Sequence, residues 1–139
     1  MIVLDTNVVS AIMRPAQNPA VAHWLDRQSP ESVWITAITV LEIRYGLLVL
    51  PEGRRRSELL ASFDRVADAL FSGRILAFDQ DAAARSAEIA ARRRLSGKNV
   101  APGDTQIAGI VAARGAVLAT RNPKDFDDLD IALVDPWTA

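Results

Sequence analysis

Three acidic residues stand where acids are rarely idle: Asp5, Glu42 and Asp104. Asp5 closes the apolar run Met-Ile-Val-Leu and opens Asp5-Thr6-Asn7. A buried parallel strand there would deliver the carboxylate to the C-terminal edge of an open sheet, where such sheets place ligands. Glu42 lies within Ile38-Thr39-Val40-Leu41-Glu42-Ile43-Arg44-Tyr45-Gly46, a helical stretch with apolar neighbours on nearly every side. A lone ionised carboxylate buried in it would be costly, so it should be paired or bound to a metal. Arg44 is a poor partner, because residues two apart on a helix point to different faces. Asp104 sits in the first turn of a helix that opens Pro102-Gly103-Asp104-Thr105. Acids from three separated segments that converge on one sheet edge need a common cation. Hard oxygen donors suit Mg²⁺ or Mn²⁺ rather than zinc.

Each motif also has a plain structural role. Asp5 could cap the helix that follows it, an arginine elsewhere could pair with Glu42, and Asp104 could simply favour a helix dipole. A fourth segment, Ala119 to Phe126, would bring the Thr120 hydroxyl, the Asn122 amide and the Asp125 carboxylate to the same edge. Asn-Pro followed by acids is also ordinary turn chemistry.

The elements that must carry these residues alternate in type. The first strand leads into a short helix, Val8–Met13, and Asn18-Pro19 starts a second that runs to about Gln28. Ser32–Thr36 reads as a strand, followed by Ile38–Leu50, a helix so apolar that it should be packed on most of its sides. Pro51 and Gly53 break the chain before an amphipathic helix over Arg54–Phe71. Arg74–Phe78 is a third strand, and Asp79 or Asp81 caps a helix to about Leu95 that Ser96-Gly97 closes. Pro102–Arg114 is a helix ended by Gly115, Ala116–Thr120 a strand, Arg121–Asp130 an acidic loop and Ile131–Val134 a last strand. Strands separated by helices, without hairpin signals, predict an α/β fold with a central parallel sheet covered on both faces.

A chain of 139 residues, 50% hydrophobic, suits one domain with a proper core. Lys and Arg number 16 against 17 acids, so no global positive field attracts nucleic acid. Phosphate recognition would have to come from local arginines. The absence of cysteine removes disulfides, thiolate nucleophiles and Cys-based zinc sites. No stretch approaches the roughly 18 apolar residues of a membrane span, and a cytoplasmic protein is expected.

Taken together, Asp5-Thr6-Asn7, Glu42 in Thr-Val-Leu-Glu-Ile-Arg-Tyr-Gly, Asp104 in Gly-Asp-Thr-Gln-Ile-Ala, and Thr120-Arg121-Asn122 with Asp125-Phe126 resemble a PIN-domain ribonuclease of the VapC and FitB toxin type. The resemblance spans essentially the whole chain, residues 1–139, including the closing Asp-Pro-Trp. It implies one PIN-like α/β/α sandwich, Mg²⁺- or Mn²⁺-dependent endoribonuclease activity on RNA, a homodimer, and neutralisation by a cognate VapB- or FitA-type antitoxin. The family's acids fall on Asp5, Glu42 and Asp104. The fourth position falls on Asn122, where some relatives carry Asp, or on Asp125.

The residue inventory agrees. Metal-free RNA cleavage commonly uses two imidazoles, and this chain has only His23, remote from the acids and readable as a surface or packing residue. A bound metal can instead lower the pKa of water and stabilise developing phosphate charge. Asp5 and Asp104 would hold the ion, Glu42 would complete its shell directly or through water, and Thr6, Asn7 and Thr120 would orient the ligands from behind. Arg121 is the favoured phosphate-binding candidate, with Arg44 and Lys98 also near the motifs. The runs Arg54–Arg56 and Arg92–Arg94 cannot each share one helix face and read mainly as solvated surface. Two other readings stay open: a catalytically silent PIN-like module that only binds antitoxin or RNA, and an aspartate-based phosphotransferase. The second lacks the usual second acid two residues after the first, since Asn7 stands there.

Overall fold

A computed structural model describes residues 1–139. Five short strands, β1 (Ile2–Leu4), β2 (Val33–Thr36), β3 (Ile75–Leu76), β4 (Val117–Ala119) and β5 (Ala132–Val134), form one sheet in the order β3-β2-β1-β4-β5. Every pairing is parallel. The helices are α1 (Thr6–Ile12), α2 (Pro19–Asp26), α3 (Ala37–Leu48), α4 (Arg54–Val66), α5 (Gln80–Ser96) and α6 (Pro102–Arg114). The expected α/β/α sandwich is thus the observed fold.

Strand alternation builds its two layers. Val3 and Leu118 point into an apolar cluster with Ile89, Ile107, Ile110 and Val111 of α5 and α6. Their neighbours Leu4 and Ala119 point the other way, into a cluster with Val8, Val21, Trp24, Ile43 and Phe63 of α1 to α4. Gly109 lets α5 and α6 close on each other: a Cβ there would meet Ser86 Oγ at 1.9 Å and the Ala82 carbonyl at 2.8 Å. The chain moves outward from β1 in one direction through β2 and β3 and in the other through β4 and β5. The topological switch point therefore lies between β1 and β4, and the crevice above their C-terminal ends is where this architecture holds ligands.

Three sequence expectations change. Helix α3 is not packed on most sides: Leu41, Tyr45, Leu48 and Val49 are exposed, so its outer face has no cover within the chain. The amphipathic helix regular through Phe71 is α-helical only to Val66; Ala67–Phe71 widens into a π turn that ends at Ser72, in the left-handed region at φ 45°, and Gly73 at φ 80°. Strand β3 shrinks to two residues at the sheet edge, where the Arg74 guanidinium caps the Val33 and Leu70 carbonyls. No helix is long and apolar enough to cross a membrane.

Candidate active site

Asp5 leaves β1 at the switch point and is 4% exposed. One carboxylate oxygen accepts the Thr6 N–H at 2.8 Å, so Asp5 is also the N-cap of α1; the other accepts the Thr120 hydroxyl at 2.8 Å, just past β4. The capping role and the site role thus belong to the same residue. Burial lifts its carboxyl above the ordinary range, against the two hydrogen bonds, and the charges of Glu42 and Asp125 add to the rise.

Thr120 is fixed in turn by the Asn122 N–H, which donates to its hydroxyl at 3.1 Å. Asn7 joins the same edge differently: its side-chain oxygen accepts the Arg121 N–H at 3.3 Å, tying the start of α1 to the turn after β4.

Helix α3 supplies Glu42. It is half-buried rather than buried, and no basic side chain pairs with it. The Thr6 hydroxyl donates to Glu42 Oε1 at 2.7 Å and lies 3.1 Å from the Thr39 hydroxyl. Thr39 donates its N–H to the Thr36 hydroxyl at 3.1 Å, the N-cap of α3. Thr36 and Thr39 are not among the sequence candidates, although a threonine at a strand end just before a helix, as Thr36 is, is an N-cap signal. Arg44 turns away from the site to pair with Asp64.

Helix α6 brings Asp104 in its first turn, and Gly103 makes room for it. A Cβ on Gly103 would lie 2.7 Å from Glu42 Oε2, so glycine here lets that carboxylate keep its place beside the start of α6. Burial first, then the charges of Asp5, Glu42 and Asp125, push the Asp104 carboxyl up to about 6, while Arg93 pulls it down. Asp125, half-buried in the 3-10 turn Pro123–Asp125, therefore shares the field of the other three acids. Asn122 is exposed and offers the site its backbone N–H, with no hydrogen bond from its side chain.

Arg93 is the residue that sequence reasoning misassigned to solvated surface. It is 3% exposed and forms a two-point ion pair with Asp128, at 3.0 and 3.2 Å. It also donates to the Thr105 hydroxyl at 2.9 Å and the Asp125 carbonyl at 2.8 Å, with Phe126 under its guanidinium. The fork thereby fastens the first turn of α6 to the turn that carries Asp125. Lys98 reaches Asp127 and Asp128 at 3.1 and 3.0 Å. Arg121 is exposed with its guanidinium 4.9 Å from the centre of the Trp137 ring. His23 lies exposed on α2.

No three acids stand in a ready-made coordination cage. The site offers carboxylate oxygens from Asp5, Glu42, Asp104 and Asp125 around a switch-point crevice, and the charges of Glu42 and Asp125 add to the raised proton affinity of Asp5 and Asp104.

The PIN domain family model matches residues 2–132. The chain belongs to the PIN-domain family. Among PIN-domain relatives, it is 36% identical over 137 residues to VapC ribonuclease Y4jK of Sinorhizobium fredii, covering 99% of this chain and 98% of that protein. It is 39% identical over 137 residues to toxin FitB of Neisseria gonorrhoeae, covering 99% of each. The crystal structure of FitAcB from Neisseria gonorrhoeae superposes with a TM-score of 0.89 at 38% identity over the full length of both chains. The PIN-domain expectation from the four sequence motifs is thereby met.

Proposed function

We propose that residues 1–139 form a single PIN domain that cleaves RNA phosphodiester bonds with Mg²⁺ or Mn²⁺, acts as a toxin in the cytoplasm, and is silenced by a cognate VapB- or FitA-type antitoxin. The observation that carries the chemistry is the gathering of Asp5, Glu42, Asp104 and Asp125 at one sheet edge, where burial first and then the charges of the other three lift Asp104 to about 6. Two relatives bear the names ribonuclease and toxin, and solved relatives are FitAB and VapBC assemblies.

The donor set fits a hard divalent cation, being all oxygen and short of nearby positive charge. Asp5 and Asp104 would hold the ion and Glu42 would complete its surroundings directly or through water, with Asp125 the favoured fourth acid over Asn122. The bound ion would lower the pKa of water and stabilise charge on the reacting phosphate. The chain's own groups prepare that site. Thr6 N–H and the Thr120 hydroxyl hold Asp5 in one orientation, and each of its oxygens keeps a lone pair for a ligand. The Thr6 hydroxyl orients Glu42, and Asn7 secures the turn that presents Arg121 to a phosphate.

An antitoxin arginine reaching into this pocket would engage two carboxylate oxygens at once and compete with metal and phosphate. The uncovered face of α3, with Leu41, Tyr45, Leu48 and Val49, supports a homodimer. The test of the whole reading is RNA cleavage by purified, partner-free protein in Mg²⁺, Mn²⁺ and EDTA, followed by addition of the product of the neighbouring gene. Cleavage that needs the metal and stops on addition is expected. Metal-independent cleavage, or none, contradicts it.

A further inference from the structure

Arg14, Arg55 and Arg65 belong to no ion pair, yet all three line one surface hollow of about 570 Å³ between α4 and the turn that follows α1. Glu58 is the one acid on its wall, and Arg54 already engages it. The run Arg54–Arg56 is divided by this geometry. Arg54 pairs with Glu58 and Arg56 with Glu52, each at 3.9 Å, which leaves Arg55 to the hollow. Arg14, Leu59 and Ser62 are also walls of a second hollow, of about 390 Å³, that opens on Thr6 and Glu42 at the carboxylate site. Its floor is apolar, with Met13, Ile43 and Leu47.

We propose that the two hollows form one track for a single-stranded RNA segment next to the scissile bond, with Arg14, Arg55 and Arg65 as its phosphate contacts. The inference rests on the ribonuclease reading and deepens it. A chain of net charge −1 with an acidic centre has no general attraction for RNA. Uncommitted guanidinium groups beginning beside that centre supply it locally. The apolar floor suits unstacked bases, which a duplex would keep inside its helix.

The test is fluorescence anisotropy of a fluorescein-labelled single-stranded oligoribonucleotide with the partner-free full chain in EDTA, across a salt series. Arg14→Gln, Arg55→Gln and Arg65→Gln should each weaken binding several-fold and lower the salt slope by about 0.7. Arg85→Gln, on α5 and in the wall of neither hollow, should bind as wild type does. In Mn²⁺ the three variants should raise KM and leave kcat unchanged. None of the three arginines supports the fold through an ion pair, so thermal midpoints should match wild type. If wild type cleaves RNA but the variants keep its affinity and KM, the track is wrong and the ribonuclease reading stands. The track is equally wrong if they bind RNA normally but escape inhibition by the antitoxin, since the hollows then seat a protein. Should wild type neither bind nor cleave RNA, the ribonuclease reading falls and takes the track with it.

Discussion

Arg93 and Asp128 meet through two parallel contacts, Nε to Oδ2 at 3.0 Å and Nη2 to Oδ1 at 3.2 Å, and so join α5 to the loop that follows β4. The hydrogen bond from Arg93 first, then that from Lys98, draws the Asp128 carboxyl down to about 2. Because this is a lowered acid, the stabilisation is complete above about pH 4 and is lost as pH falls through about 2. Arg93→Met should destabilise by about 1–3 kcal/mol in urea unfolding, since it leaves the Thr105 hydroxyl and the Asp125 carbonyl without their donor while Lys98 still pairs with Asp128. Arg93→Lys, which keeps charge without the fork, should fall between it and wild type.

Gly103→Ala separates position from stability. The atom its Cβ meets, Glu42 Oε2, is the end of a flexible side chain that can swing aside. The thermal midpoint should therefore move by no more than a few degrees. Turnover should fall by about 100-fold, the scale expected when a reacting group shifts by about 1 Å. Equal turnover in the two proteins would remove Glu42 from the site.

The raised Asp104 carboxyl makes the metal-free protein pH-sensitive in a defined direction. Its folded value of about 6 exceeds the ordinary 3.8, so the folded state holds the proton more tightly. Stability should decline as pH rises from about 4 to 6, and Asp104→Asn should flatten that decline in thermal melts recorded in EDTA. Mn²⁺ affinity, which needs the ionised form, should run the other way and weaken below about pH 6.

The fourth acidic position can be decided by two substitutions. Asp125 shares the field of Asp5 and Asp104, whereas the Asn122 side chain makes no hydrogen bond. Asp125→Asn should weaken Mn²⁺ binding or turnover by about 10-fold or more, the scale of lost ligand support. Asn122→Ala should leave both near wild type, and Asn122→Asp should be tolerated. Wild-type Mn²⁺ titration by Asp125→Asn would reduce the site to three acids.

What the sequence made legible depended on how local each signal was. Asp5 could be placed because an apolar run ending in an acid marks a strand terminus without knowledge of any partner. Asp104 could be placed because Pro102 fixes a helix start. Arg93 could not, since the groups that bury it come from Thr105, Asp125 and Asp128, and nothing within its own helix separates it from the exposed Arg92 and Arg94. The outer face of α3 was misread for the opposite reason. Leu41, Tyr45, Leu48 and Val49 are as apolar as core residues, and hydrophobicity alone does not say whether a face meets its own chain or another. The two-residue β3 likewise reflects edge pairing with β2, which the apolar stretch Ile75–Phe78 does not encode.

The central claim is that the carboxylates around β1 and β4 make a metal-dependent centre for cutting RNA. Its most direct test is the rate of cleavage of an end-labelled RNA across an Mn²⁺ titration, by wild type and by Asp5→Asn, Glu42→Gln and Asp104→Asn. Wild type should cleave with saturable Mn²⁺ dependence, and each variant should lose about 100-fold or more at saturation while staying folded, the scale of removing one charge-stabilising group. Undiminished Mn²⁺-dependent cleavage by all three variants would contradict it.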